Sequence, residues 1–251
     1  VHYNWHWFWD FGNGDIGNQG VHQMDVARWM IPGATWPKSA FSLGGRFGYR
    51  DQGETPNTQL ALFDYGEALL LFEVRGLPTR GFPGDTDGSV LHFDGGHVTG
   101  NKFYPKGKTE GEPLPKIDPP EAKLPHSTNI FANFIACVRS RKAAELVAGL
   151  EDGHYSSGLC HLANVSYRVG SETAFQSRPK LPIDNKEANE TLAKMEEHLA
   201  NSVGFKPAEA RLRVGKALQF DAGSEQVLNS PEANALLQRV GRAPFVVPRT
   251  I

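Results

Sequence analysis

Three strand-like runs, Ser39 to Tyr49, Thr58 to Tyr65 and Glu67 to Gly76, follow one another with turns between them and no helical periodicity. Strands joined without a crossover helix pair antiparallel, so this block excludes a βαβ succession and demands a meander. Tyr65-Gly66 supplies a hairpin connection. Ser89 to Phe93 and His97 to Tyr104 read as further short strands. Helical spacing appears on either side of the block. Val21, Met24, Ala27, Trp29 and Met30 recur at steps of three or four from Gly20 to Ile31, before Pro32-Gly33. Two more helices are expected at about Ser127 to Arg141 and Gly153 to Val169. The pattern predicts an α+β fold: a large, open, mainly antiparallel sheet with helices packed on one face. The other face would be available for self-association, with Leu60, Leu62, Leu69 and Leu71 as candidate contacts.

The segment Pro105 to Pro125 holds six prolines, four lysines and four acids, and reads as an extended surface arm. The tail from 183 to 251 is mixed. It carries a helix near Lys186 to Asn201 with Leu192, Met195 and Leu199, a strand through Leu212, Val214, Leu218 and Phe220, and a last short helix opened by Ser230-Pro231.

Composition narrows the function classes. With 39% apolar residues and 27 glycines in 251 positions, the chain can build a core. Lys+Arg 26 against Asp+Glu 28 leaves a net charge of -2, which argues against recruitment of nucleic acid or an anionic membrane by the overall field. The longest apolar runs are far short of the roughly 20 residues of a membrane helix. Cys137 and Cys160 lack metal spacing and read as buried free thiols. The N-terminus, Val1-His2-Tyr3-Asn4-Trp5, reads as a cut end and gives no localisation.

All five tryptophans lie in the first forty residues. Trp5, Trp7 and Trp9 alternate as on one face of an extended segment. Two of these indoles are expected to pack and one to border a cleft. Aromatic faces stack on sugar rings, so a carbohydrate-binding module without chemistry is a second reading, and an oligomerising scaffold a third. Gly12-Asn13-Gly14-Asp15-Ile16-Gly17 matches the spacing of a dinucleotide fingerprint, but Asp15 would sit beside the phosphates and no acid lies between Asp25 and Asp51 to hold a ribose. A tight glycine-rich turn is the better reading.

His22 and Asp25, three apart, share a helical face with Trp29 one turn on. A carboxylate beside an imidazole fixes its tautomer and suits it to proton transfer, and the same spacing also fits a capping cluster with a surface ion pair. Asn18 and Gln19 add hydrogen-bonding groups nearby. His154, at a helix start, and Tyr155 are further candidates for contacts in a cleft, and His161 is expected to be half-buried. The pairs His2/His6 and His92/His97 read as isolated histidines, not metal ligands.

The run G-N-G-D-I-G-N-Q-G-V-H-Q-M-D-V-A-R-W, Gly12 to Trp29, resembles the glycine-rich segment ending D-x-G-x-H-x-x-D that begins the active-site helix of the Gfo/Idh/MocA oxidoreductase family. Phe131 to Lys142, Glu151 to Gly170 and P-F-V-V-P at Pro244 to Pro248 are similar to later parts of that family's second domain. The resemblance implies that residues 1–251 form a single C-terminal substrate and oligomerisation domain, its first strand trimmed. A Rossmann domain, with the NAD(P) and a Glu-Lys-Pro lysine, would lie outside it, so no cofactor is expected on this chain. The resemblance further implies hydride exchange between nicotinamide and a hydroxyl-bearing carbon of a sugar- or polyol-like substrate. His22 would assist proton transfer, while Asn18 and Asp25 would position the substrate or His22. Asn18 stands where the family has aspartate and cannot ionise; Asp15 is near enough in sequence to compensate. One concave site would join His22, Asn18 and at least one of Trp5, Trp7 and Trp9.

Overall fold

The computed structural model describes residues 2–78, 88–116, 124–177, 179–202, 204–239 and 241–246. Two helices, α1 (Gly14–Asn18) and α2 (Gly20–Trp29), precede β1 (Ser39–Gly45), β2 (Thr58–Asp64) and β3 (Leu69–Arg75). Then come β4 (Leu91–Phe93), β5 (Gly96–Thr99), β6 (Lys102–Pro105), β7 (Glu112–Pro113), α3 (Ile130–Ser140), α4 (Leu150–Arg168) and β8 (Ser171–Ala174). The chain continues through α5 (Lys186–Ala200), β9 (Arg211–Val214), β10 (Leu218–Asp221), β11 (Gln226–Val227) and α6 (Pro231–Leu236).

The fold is α+β. A seven-stranded antiparallel sheet runs β11-β10-β1-β2-β3, with β9 also on β1 and β8 on β9. Strands β4 to β7 form a separate four-stranded sheet. Register on the central pair sets Phe41 opposite Leu62 and Leu43 opposite Leu60. The hairpin from β2 to β3 closes at Tyr65-Gly66, where Gly66 adopts φ +93° and Asp64 accepts its N–H at 2.7 Å. The first strand ends at Gly45, short of Tyr49, because Asn57 bonds both the N–H and the carbonyl of Phe47 and draws the chain out of the ladder. The expected single strand through Leu212 to Phe220 is two strands. Gly215 crosses so close to β1 that its N–H reaches the Ser42 carbonyl at 2.8 Å, and β9 and β10 share that one edge.

Period-2 alternation sorts the strands onto two cores. Ala40, Ala61, Phe63 and Leu70 pack with Ile16, Met24, Leu159 and Leu162 from α1, α2 and α4. Phe41, Leu43, Leu60 and Leu62 pack with Leu192, Met195 and Leu199 from α5. Helices thus lie on both faces, where one was expected. Leu60 and Leu62 are fully buried, and Leu69 and Leu71 pack against the same core, so these leucines are not the open self-association surface proposed for them. A buried polar seam locks α4 to the sheet: the Ser166 hydroxyl accepts from the Ser42 N–H at 2.9 Å, and Gln59 bridges Ser42 and Asn164.

Helix α3 departs from expectation. Asn133 turns inward, donating to the Pro125 and Glu145 carbonyls and accepting from the Val147 N–H, so the polar side is anchored and the apolar side faces out. Phe131 is 82% exposed, and Ile130, Phe134, Ile135 and Val138 are exposed beside it. Cys137 and Cys160 are buried free thiols, the Cys160 thiol pushed up to about 12 by burial. The Pro105 to Pro125 arm includes β7, but its residues 117–123 lie outside the described residues, as do 247 and 248 of the closing motif.

Candidate functional site

The tryptophan ladder is not an extended strand. Asn4–Trp7 forms a 3-10 turn, and Phe11 and Gly12 both donate backbone N–H groups to the Phe8 carbonyl, at 3.0 and 2.8 Å. Turn geometry splays the indoles and buries His6, which is 3% exposed and met edge-on by Tyr3, Trp5 and Trp7. The glycines that follow fold against this core. A Cβ on Gly12 would strike the His6 backbone, and Gly14, at φ +73°, would place one 2.7 Å from Thr55 Cβ. No strand leads into the run, and its glycines press on their own chain. Burial pushes the Asp15 carboxyl up from its ordinary value, while Arg46 and His6 pull it down. This turn does not fit a dinucleotide pyrophosphate. His6 Nε2 and Thr55 Oγ1 are buried without a hydrogen-bond partner among the described residues.

Helical backbone at Gln19 carries α1 almost directly into α2. Asn18 and His22, four apart, therefore lie on one face, and both are exposed. An exposed imidazole can exchange a proton with a ligand docked there. Asp25 does not hold it, because its carboxylate accepts from the Ser156 hydroxyl. That hydroxyl also accepts from Arg28 Nε at 2.8 Å, and Arg28 reaches Asp152 at 2.9 Å and the Ala34 carbonyl at 2.9 Å. Arg28 is buried, so Asp25 belongs to the charged seam joining α2 to α4. Sequence spacing could not find this, since the partners lie more than a hundred residues away.

Trp9 is elsewhere. It borders a cleft of about 850 Å³ between the loop after β1, the end of α4 and strand β9. Its indole lies 6.4 Å from the Tyr167 ring, with the Arg168 guanidinium 5.0 Å over it. The backbone N–H of Trp9 donates to the Glu54 carboxylate at 2.8 Å, and its backbone carbonyl accepts from Arg239 at 2.8 Å. Arg213 stands 5.7 Å over Tyr167 and bonds Glu172 at 2.8 Å. Arg46 stacks 5.3 Å over Tyr49 and chelates Asp51. Burial raises the Tyr167 phenol above its ordinary value, while Arg213 opposes the shift. The lining of the cleft includes neither His22 nor Asn18, so Trp9 lies apart from them. Its arginines were missed by sequence reasoning, although Arg211-Leu212-Arg213, alternating around a buried leucine, already set two guanidiniums on one strand face.

His154 is exposed and bound to Glu225, its Nε2 lying 3.0 and 3.1 Å from the two carboxylate oxygens, with Trp36 edge-on at 5.1 Å. It does not border the cleft. Tyr155 packs edge-on to Trp36, and His161 is exposed rather than half-buried. His92 and His97 face each other across β4 and β5, 5.9 Å apart, and His97 stacks on Tyr104 at 5.0 Å. No group of three or more potential metal ligands exists among the described residues. No helix among them is long and apolar enough to cross a membrane. No family model matches the chain, and no curated protein matches it significantly.

Proposed function

We propose that the chain is the substrate-binding domain of a nicotinamide-dependent oxidoreductase of the Gfo/Idh/MocA type, acting at a hydroxyl-bearing carbon of a sugar- or polyol-like substrate. The observation that carries the reading is the pair His22 and Asn18, exposed side by side at the helix start where the motif resemblance sets its proton-transfer residue. In this reading His22 takes the proton of the substrate hydroxyl, and the Asn18 amide orients that hydroxyl by donating to or accepting from it. Asp25 positions rather than reacts: through Ser156 and Arg28 it fixes α2 on α4, and so holds His22 in place. The nicotinamide belongs to a separate Rossmann domain, since the Gly12 to Gly17 turn does not fit it. The exposed apolar side of α3 supports packing against further protein, either that domain or a second copy of the chain.

Trp9, half-buried at the border of the cleft, favours a second reading, sugar binding without chemistry. One experiment separates the two. The complete gene product is mixed with NAD+ or NADP+ and a panel of hexoses and polyols, and nicotinamide reduction is followed by absorbance. The oxidoreductase reading expects reduction that depends on one class of substrate. Sugar binding by calorimetry with no nicotinamide reduction would leave the binding module.

A further inference from the structure

The Trp9 cleft has a charge that the whole chain lacks. The protein carries a net charge of -2, yet this cleft gathers six cations against the carboxylates of Glu54, Glu172 and Glu209, with Asp51 beside Arg46 making four. Arg46, Arg213 and Lys206 are already held by Asp51, Glu172 and Glu209. Arg50, Arg168 and Arg211 have no ion pair among the described residues, and all three are exposed. Five of the six cations are arginines, whose planar forks match the paired oxygens of a carboxylate or phosphate. Concentrating them around one concave site raises the local positive potential that draws an anion. Trp9, half-buried at the border of the cleft, adds aromatic surface of the kind that takes the apolar face of a sugar ring, while Tyr167 is buried. A cleft of about 850 Å³ is within the range of small-molecule sites.

We propose that this cleft binds a sugar bearing a phosphate or carboxylate group. The anionic group lies among Arg50, Arg168 and Arg211, and the ring lies against Trp9. The proposal goes beyond the oxidoreductase reading and does not rest on it, because His22 is outside the cleft.

Isothermal titration calorimetry of the chain with glucose 6-phosphate, glucuronate, glucose, inorganic phosphate and AMP tests it. At least one of the two anionic sugars should bind with a dissociation constant on the order of 100 μM. Glucose and inorganic phosphate should each bind at least about tenfold more weakly than that sugar, because each offers only half of the contacts. Which anionic sugar binds identifies the group. Arg168→Ala and Arg211→Ala, both at exposed positions, should keep the parent circular dichroism and melting temperature while weakening the anionic sugar about tenfold. Trp9→Ala should weaken it too, and His22→Gln should leave it unchanged. Equal binding of phosphate alone, tighter binding of AMP, no binding of either anionic sugar at millimolar concentration, or indifference to the two arginine variants would overturn the proposal.

Discussion

Arg28 is the residue on which the seam between α2 and α4 depends. Its side chain is 7% exposed, so its charge is tolerated only because Ser156, Asp25, Asp152 and the Ala34 carbonyl surround it. The Asp152 arm, more than half exposed, contributes about 1 kcal/mol at most. The greater cost of removal is the stranded Asp25 and Ser156. Arg28→Ala should therefore destabilise the fold by about 3 kcal/mol, measurable as a lower urea midpoint. Asp15 behaves oppositely. A carboxyl raised by burial favours the folded state when protonated; this contribution is complete below its ordinary value of 3.8 and is lost as pH rises through the raised one. Asp15→Asn should raise the melting temperature at pH 7, and the gain should vanish below about pH 4. At this scale the sequence put His22 and Asp25 on one helical face by their spacing and brought Asn18 to His22 only through the motif resemblance. The Asp25 carboxylate instead meets Arg28, equally close in sequence, and Ser156, which only the fold brings to it.

The elements with a strict period were the legible ones. In α5, Leu192, Met195 and Leu199 follow three- and four-residue steps, Asn185 caps the start by accepting the Ala188 N–H at 2.9 Å, and the observed span Lys186–Ala200 nearly matches that periodicity. Met195 is fully buried against Phe41 and its neighbours, so Met195→Ala should cost about 3 kcal/mol in chemical denaturation. Periodicity does not state which way a face points. The Ile130, Phe131, Phe134 stripe of α3 has the same kind of spacing and faces outward, because three hydrogen bonds from Asn133 anchor the opposite side. A two-residue period misled at Trp5, Trp7 and Trp9, where local turns govern the backbone instead of a sheet partner. The β2–β3 hairpin was legible because its turn residues and flanking strands agree.

In the whole molecule the two places proposed for function, the His22 face and the Trp9 cleft, are separate, on a sheet with helices packed on both sides. Among the described residues, exposed apolar side chains cluster on α3 and are scattered elsewhere, while Leu60 and Leu62 are buried. The glycine-rich turn pressed on His6 and Thr55 leads to a direct expectation. NADH and NADPH titrated into the 251-residue chain should produce no saturable fluorescence change at micromolar concentration, whereas saturation that Gly14→Ala abolishes would restore the dinucleotide reading. The central claim is that His22 exchanges a proton with substrate. Its most direct measurement is turnover of the complete gene product carrying His22→Gln, alongside its melting temperature and nicotinamide affinity. The account predicts turnover lower by about a hundredfold or more, the scale of losing a general acid or base, with the melting temperature and nicotinamide affinity unchanged. Unchanged turnover would contradict it.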